Sequence, residues 1–281
     1  MIFVMGASGR MGGAVISHLS EPCRAGVRGG SPIESAAETV PFDLDDPRTH
    51  RPALSGCEAM FVMRPPTATR REPFERLMQA AKDAGVAFVV CASVYGAGRS
   101  RLLPHRHMEA AVRESGLSYV FLRPADFMQN LADVHGEAIR RSGQISVPAG
   151  KGRSALLDVE DVGRAATAAL AAKNVHAGRT YDLTGPEALT FKDVARTMTR
   201  VLGRTIRYRP VSVPRFILRQ VRAGRPLPMA LAMAALYTAQ RLGRAAPASA
   251  DFDRLTGRSA TSLANYVSRE RTRFMPTDRT G

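Results

Sequence analysis

Along the first 125 residues, short apolar runs without polar alternation recur between stretches of helical spacing. The runs are residues 2–5, "EAMFVM" (58–63), "VAFVVCAS" (86–93) and "SYVFLRP" (118–124). Between them lie "AVISHLS", with Val15, Ile16 and Leu19 on one helical face, "PFERLMQAAKDAG", closed by Gly85, and "HMEAAVRESG", closed by Gly116. Strands that do not alternate are buried on both faces, and helices between them act as the crossovers of a parallel sheet. The pattern predicts an α/β chain with a doubly wound parallel sheet. After "RPADFMQNL" the order loosens. "LLDVEDVGRAATAALAA" reads as a helix capped by Asp158 or Asp161, "RTYDLTG" as a strand, and "LTFKDVARTMTRVLG" as a helix with Thr190 at its N-cap and Gly203 at its C-terminal side. The expected organisation is a nucleotide-binding domain over 1–185, with substrate-lobe pieces inserted around 125–155, and a smaller helix-rich lobe over 186–281.

The glycines give the first run a function. "VMGASGRMGGAV" places Gly6, Gly9 and Gly12 directly after a strand and directly before a helix. Glycine lets the backbone turn tightly and approach a pyrophosphate, whose charge then meets the free amides and positive dipole of a helix N-terminus. The predicted cradle is therefore Gly6, Ser8, Gly9, Arg10, Met11 and Gly12 of a Rossmann-type domain. The competing reading is a glycine turn that merely packs. At the end of the second strand an acidic residue would select NAD, whereas "CRAGVRGGSP" offers Arg28, with Arg24 close behind, as the partner of a 2′-phosphate. NADPH is the expected cofactor, against the alternative that Arg28 is one more surface arginine. Asp43 and Leu44 in "VPFDLDDP" fall where an adenine pocket would lie, although an Asp there also serves as a turn residue. Arg64 completes the cofactor set expected from this part of the chain.

Composition narrows the partners. Forty basic against 25 acidic residues give a formal charge of +15, which raises nucleic acid or an anionic membrane as a partner. Only four of the basic residues are lysines, the arginines are scattered, there is no Trp, and no basic module is recognisable, so nucleic acid is not expected. Cys23, Cys57 and Cys91 are odd in number and form no CxxC pair, which suggests neither a disulfide framework nor a zinc knuckle and fits a reducing cytoplasm. "MIFVMGASG" lacks the basic start and long apolar core of a signal peptide. The apolar stretch 226–240 is shorter than the roughly 20 residues a bilayer demands. It reads as a substrate wall or subunit interface in preference to a membrane-surface helix. A small-molecule substrate and a monomer or homodimer are expected.

"GASGRMGGAV", "FDLDDP", "HRHMEAAVRESGLSYVFLRPADFMQN", "YDLTGPEALTFKDVARTMTRVLGR" and "DFDRLTGRSATSLANYV" together resemble the atypical short-chain dehydrogenase/reductases of the NmrA-like type. That group includes NADPH-dependent quinone reductases, iminium reductases of ergot-alkaloid type and redox-sensing regulators. The resemblance implies a cofactor at the carboxyl ends of the strands, a small C-terminal lobe closing over the substrate, and Pro124, Phe127 and Asn130 in a loop beside the nicotinamide. Typical short-chain reductases open this helix with Tyr-x-x-x-Lys. His105, with Glu109 one turn on, stands at the lysine position by resemblance, which leaves Arg101 at the tyrosine position and the usual proton donor missing. Tyr95 and Ser93, after the fifth strand, are the remaining candidates for the reacting centre. His105 either hydrogen-bonds the ribose and relays a proton, or caps its helix. Lying two residues from His107, it cannot share a metal with it from one helix face. Without the tyrosine, the resemblance implies an acceptor already electron-poor, such as a quinone, an aromatic polyketide, an enone or an iminium ion. The competing functions are an NADP-sensing regulator and a redox-neutral isomerase or cyclase.

Overall fold

Ile2–Met5 (β1) is the centre of the structure, its four side chains no more than 3% exposed. The computed structural model describes residues 1–30, 38–100 and 103–276. On one side of β1 lie Cys23–Val27 (β2) and Glu38–Pro41 (β3); on the other lie Ala59–Met63 (β4), Phe88–Ala92 (β5), Ser118–Pro124 (β6) and the edge strand Thr180–Leu183. All seven pair in parallel, in the order β3-β2-β1-β4-β5-β6 followed by 180–183. The strand order reverses beside β1, and in such sheets ligands bind at the carboxyl ends next to that reversal.

Helices cover both faces, as the unbroken apolar runs require. On one face Arg10–His18 (α1) packs against the helix Val159–Ala171, with the His18 Nε2 3.1 Å from Glu160 Oε2. On the other, His50–Leu54 (α2), Glu72–Asp83 (α3) and His105–Glu114 (α4) enclose a core built around Phe3, Phe42, Met60, Phe74, Leu77 and Phe121.

The chain divides into two compact units, one of residues 1–124, 159–183 and 251–259, the other of 125–158, 184–250 and 260–281. The division differs from a boundary at 185/186 in two ways. The inserted segment extends to 158, and residues 251–259 return to the sheet unit. There the helix Asp251–Thr256 covers the edge strand, and the Asp251 Oδ2 accepts the Asp182 backbone N–H at 2.8 Å. An edge strand leaves ladder groups unpaired, and a covering helix with a carboxylate acceptor satisfies one of them.

The second unit is helical around Phe191, Met198, Phe216, Tyr237, Tyr266 and Phe274. Its helix Phe191–Leu202 begins with a reciprocal capping box between Thr190 and Asp193 and ends at Gly203 in the left-handed conformation, as the local sequence signals predict. Among the described residues no helix is long and apolar enough to cross a membrane.

Candidate active site

The turn out of β1 has almost no steric freedom. Gly6 takes φ +71°, and a Cβ there would lie 2.9 Å from Met63 Sδ. A Cβ at Gly12 would lie 2.3 Å from the Gly6 carbonyl oxygen, so only glycine lets α1 begin this close beneath the loop. Gly9 donates to the Gly6 carbonyl at 2.9 Å and serves as the N-cap of α1, where no side chain caps the helix and no acid occupies the first turn. The first amides of a helix have no intrahelical acceptor. Ser8, Gly9 and Arg10 are exposed, and Met11 half-buried, around that positive end. The donor set suits a pyrophosphate: backbone amides, a helix dipole and no acid in the first turn of α1.

The two arginines of β2 separate. Arg28 is exposed just beyond the carboxyl end of the strand, where a 2′-phosphate would be met. Arg24 sits at the other end and is occupied: Nε donates to Glu38 at 3.0 Å, and Nη1 donates to the Ser55 carbonyl at 2.6 Å. Asp43 shapes a turn. Its Oδ1 accepts the Asp45 N–H at 3.0 Å, and its carbonyl meets Thr49 Oγ1 and His50 Nε2. Leu44 is 3% exposed and belongs to the core, so any adenine contact from it would be through backbone.

Arg64 follows β4 and curls into its own loop, Nη1 donating to the carbonyls of Pro65, Pro66 and Ala68. Its Nε reaches His105 Nε2 at 3.3 Å. Burial first, and the Arg64 charge second, push the imidazole down to about 4, only partly opposed by Glu109. His105 is therefore neutral at physiological pH. Guanidinium only donates, so Nε2 accepts and the ring proton belongs on Nδ1, a buried atom with no partner among the described residues. The cap of α4 is Pro104, without a side-chain hydrogen bond, so His105 does not cap the helix. Arg101, which stands at the tyrosine position by resemblance, lies outside the described residues.

Ser93 and Tyr95 leave β5 on a loop fastened to β6, with Ser93 N donating to the Leu122 carbonyl at 2.8 Å and Tyr95 N to that of Pro124 at 2.9 Å. Pro124 is buried. The Ser93 hydroxyl is buried and makes no hydrogen bond of ordinary geometry among the described residues, though it lies near enough to Glu109 to favour its ionised form. Glu109 is 2% exposed and is gripped by both arms of Arg123, at 2.9 and 2.7 Å. Burial pushes this carboxyl up, but the Arg123 hydrogen bonds, Ser93 and the charges of Arg123 and Arg113 outweigh it and hold the group below its usual range.

In the second unit, Phe127 and Asn130 line one narrow crevice with Asp126, His135, Phe191 and Tyr237. Phe127 is positioned by a parallel bridge to Leu157, and Met128 is core rather than crevice. Burial raises Asp126 to about 6, against a long 3.5 Å hydrogen bond from Ser154. His135 Nε2 and the Tyr237 hydroxyl lie 2.7 Å apart. Burial drives the histidine down to about 3 and the phenol up, so both are neutral. Asp126, His135 and Tyr237 were not among the residues the sequence singled out. The acid between "RPA" and Phe127 was the available signal.

The profile of the NmrA-like family matches residues 1–268, and the chain belongs to that family. It is 31% identical to an NAD(P)H azoreductase of Xenophilus azovorans, over 95% of this chain and 96% of the relative. Two solved structures share the whole architecture. The triphenylmethane reductase of a Citrobacter species, complexed with NADP(H), has a TM-score of 0.84 at 28% identity, covering 96% of this chain and 99% of that one. An NADPH-dependent quinone oxidoreductase of Escherichia coli, complexed with NADPH, has a TM-score of 0.86 at 26% identity, covering 96% and 99%.

Proposed function

We propose that this chain is an NADPH-dependent oxidoreductase that reduces an electron-poor, largely apolar conjugated molecule: a quinone, aromatic polyketide, enone or iminium ion. The observation that carries the reading is the uncapped N-terminus of α1 beneath a loop that a Cβ at Gly12 would fill, with exposed Arg28 beyond β2. Gly6 through Gly12 hold the pyrophosphate and Arg28 the 2′-phosphate. The bound cofactor supplies a hydride. The Nδ1–H of His105 is suited to donate to a ribose oxygen, and the Ser93 hydroxyl to orient the nicotinamide or acceptor. Tyr95 shapes the loop between them.

The acceptor class rests on two supports. The relatives named above are an azoreductase, a triphenylmethane reductase and a quinone oxidoreductase, whose named substrates are all extended conjugated acceptors. No tyrosine of this chain is followed by lysine four residues on, so the usual pair that protonates a plain carbonyl is absent. An iminium ion takes up a hydride without a proton; a quinone also needs one, and Asp126, raised to about 6, is a carboxyl that holds its proton into the mildly acidic range. The test is a fluorescence titration with NADPH and NADH, followed by stopped-flow absorbance at the reduced-nicotinamide band with a panel of quinones and iminium salts. Oxidation of the cofactor by any panel member supports the reading. Tight binding with no oxidation by any of them would overturn it in favour of a sensing role.

A further inference from the structure

Between Val194 and Ala250 the chain carries eleven arginines and no carboxylate side chain. Two helices of this segment, Val213–Arg222 and Leu227–Arg241, pack side by side. Their inner positions, Phe216 on one and Ala230, Ala234 and Tyr237 on the other, are buried. Apolar residues also flank this seam on its solvent side, alongside exposed arginines. Half-buried Val213 and Ile217 and exposed Val221 recur at four-residue spacing, Leu227 and Leu231 lie one turn apart on the second helix, and Leu242 is its C-cap. Leu231 and Leu242 face Val213 and Ile217 across an open apolar groove. Leu218, Leu227, Leu231 and Leu242 are 48–62% exposed. Beside this face, exposed Arg215, Arg219, Arg222, Arg241 and Arg244 have no ion-pair partner among the described residues.

A contiguous apolar face this well exposed marks an interaction surface. Its occupant must be apolar and anionic together. A second copy meeting this face symmetrically would set the same arginines against one another, and a nucleic acid would leave the leucines in water. A bilayer with acidic headgroups satisfies both demands: leucines enter the boundary between headgroups and acyl chains while arginines extend to the phosphates. We propose that the hairpin of residues 213–242 docks the protein on anionic phospholipid surfaces. The inference does not depend on the reductase reading.

The test is co-sedimentation of the full chain with vesicles of phosphatidylcholine alone and of an equimolar mixture with phosphatidylglycerol, at low and high salt. Partitioning at least about tenfold stronger onto the anionic vesicles, weakening with salt, is expected. The double variants Leu231→Glu/Leu242→Glu and Arg219→Glu/Arg222→Glu should each lower it by about tenfold or more, with NADPH affinity unchanged as a check on folding. Background-level partitioning onto anionic vesicles, or partitioning that neither variant alters, would overturn the proposal. So would a dimer in light scattering that Leu231→Glu/Leu242→Glu converts to monomer, since that assigns the face to a second copy.

Discussion

Arg64 Nε lies 3.3 Å from His105 Nε2, and this contact adds to burial in keeping the imidazole that opens α4 neutral. The cation faces the lone pair that would accept a proton, and burial removes the water that would solvate the charged ring. With the ring down at about 4, His105 is an unpromising acid near neutrality. Replacing Arg64 by Gln should raise the His105 titration toward the ordinary 6.5, read by imidazole resonances of the folded protein. A titration unchanged by the substitution would leave burial as the sole cause. The folded pKa is depressed, so the associated stability is present above about 6.5 and is lost as pH falls toward about 4. Arg64→Gln should narrow that acid-sensitive window in thermal melts.

Arg28→Ala should weaken NADPH binding by about tenfold or more and leave NADH within about twofold, because in the proposed role the residue meets only the 2′-phosphate. Paired fluorescence titrations read the ratio. Equal losses for both cofactors would remove Arg28 from the phosphate site.

Gly12→Ala would bring a methyl against the Gly6 carbonyl, a backbone atom that moves only with the whole loop. A stability loss of about 1–3 kcal/mol, as for overpacking elsewhere, together with lost affinity for either cofactor, is expected from melts and titrations. Full affinity in the variant would show that the cradle tolerates displacement.

Asp126 titrates with the opposite sign from His105. Its folded pKa is raised to about 6, so its contribution to stability is fully present below about 3.8 and is lost as pH rises through about 6. Asp126→Asn should therefore gain about 1–3 kcal/mol over wild type at pH 8 and nothing at pH 3.5, measured by paired denaturation curves. In kinetics, a quinone needs a proton and an iminium ion does not. Turnover of the quinone should decline as pH rises through about 6 and lose that inflection in Asp126→Asn, while the iminium profile stays flat there. An inflection that persists in the variant would place the proton donor elsewhere.

Much of this was legible in one dimension because its signals are local. Unbroken apolar runs marked β1, β4, β5 and β6; the Gly6–Gly12 spacing after β1 marked the tight turn into α1; Thr190 and Gly203 marked both ends of one helix. Period, cap chemistry and turn chemistry act over a few residues, so the sequence by itself determined the sheet, its crossovers and the start of α1. Tertiary structure decided the partnerships. It turned Arg24 away to Glu38 while leaving Arg28 exposed, and joined Glu109 to Arg123 across α4 and β6. It also brought His135 against Tyr237 from 102 positions away and returned 251–259 to the sheet. Such contacts arise when packing closes long loops. They obey no sequence period, and the burial that shifts Asp126, His105 and His135 exists only once those loops have closed.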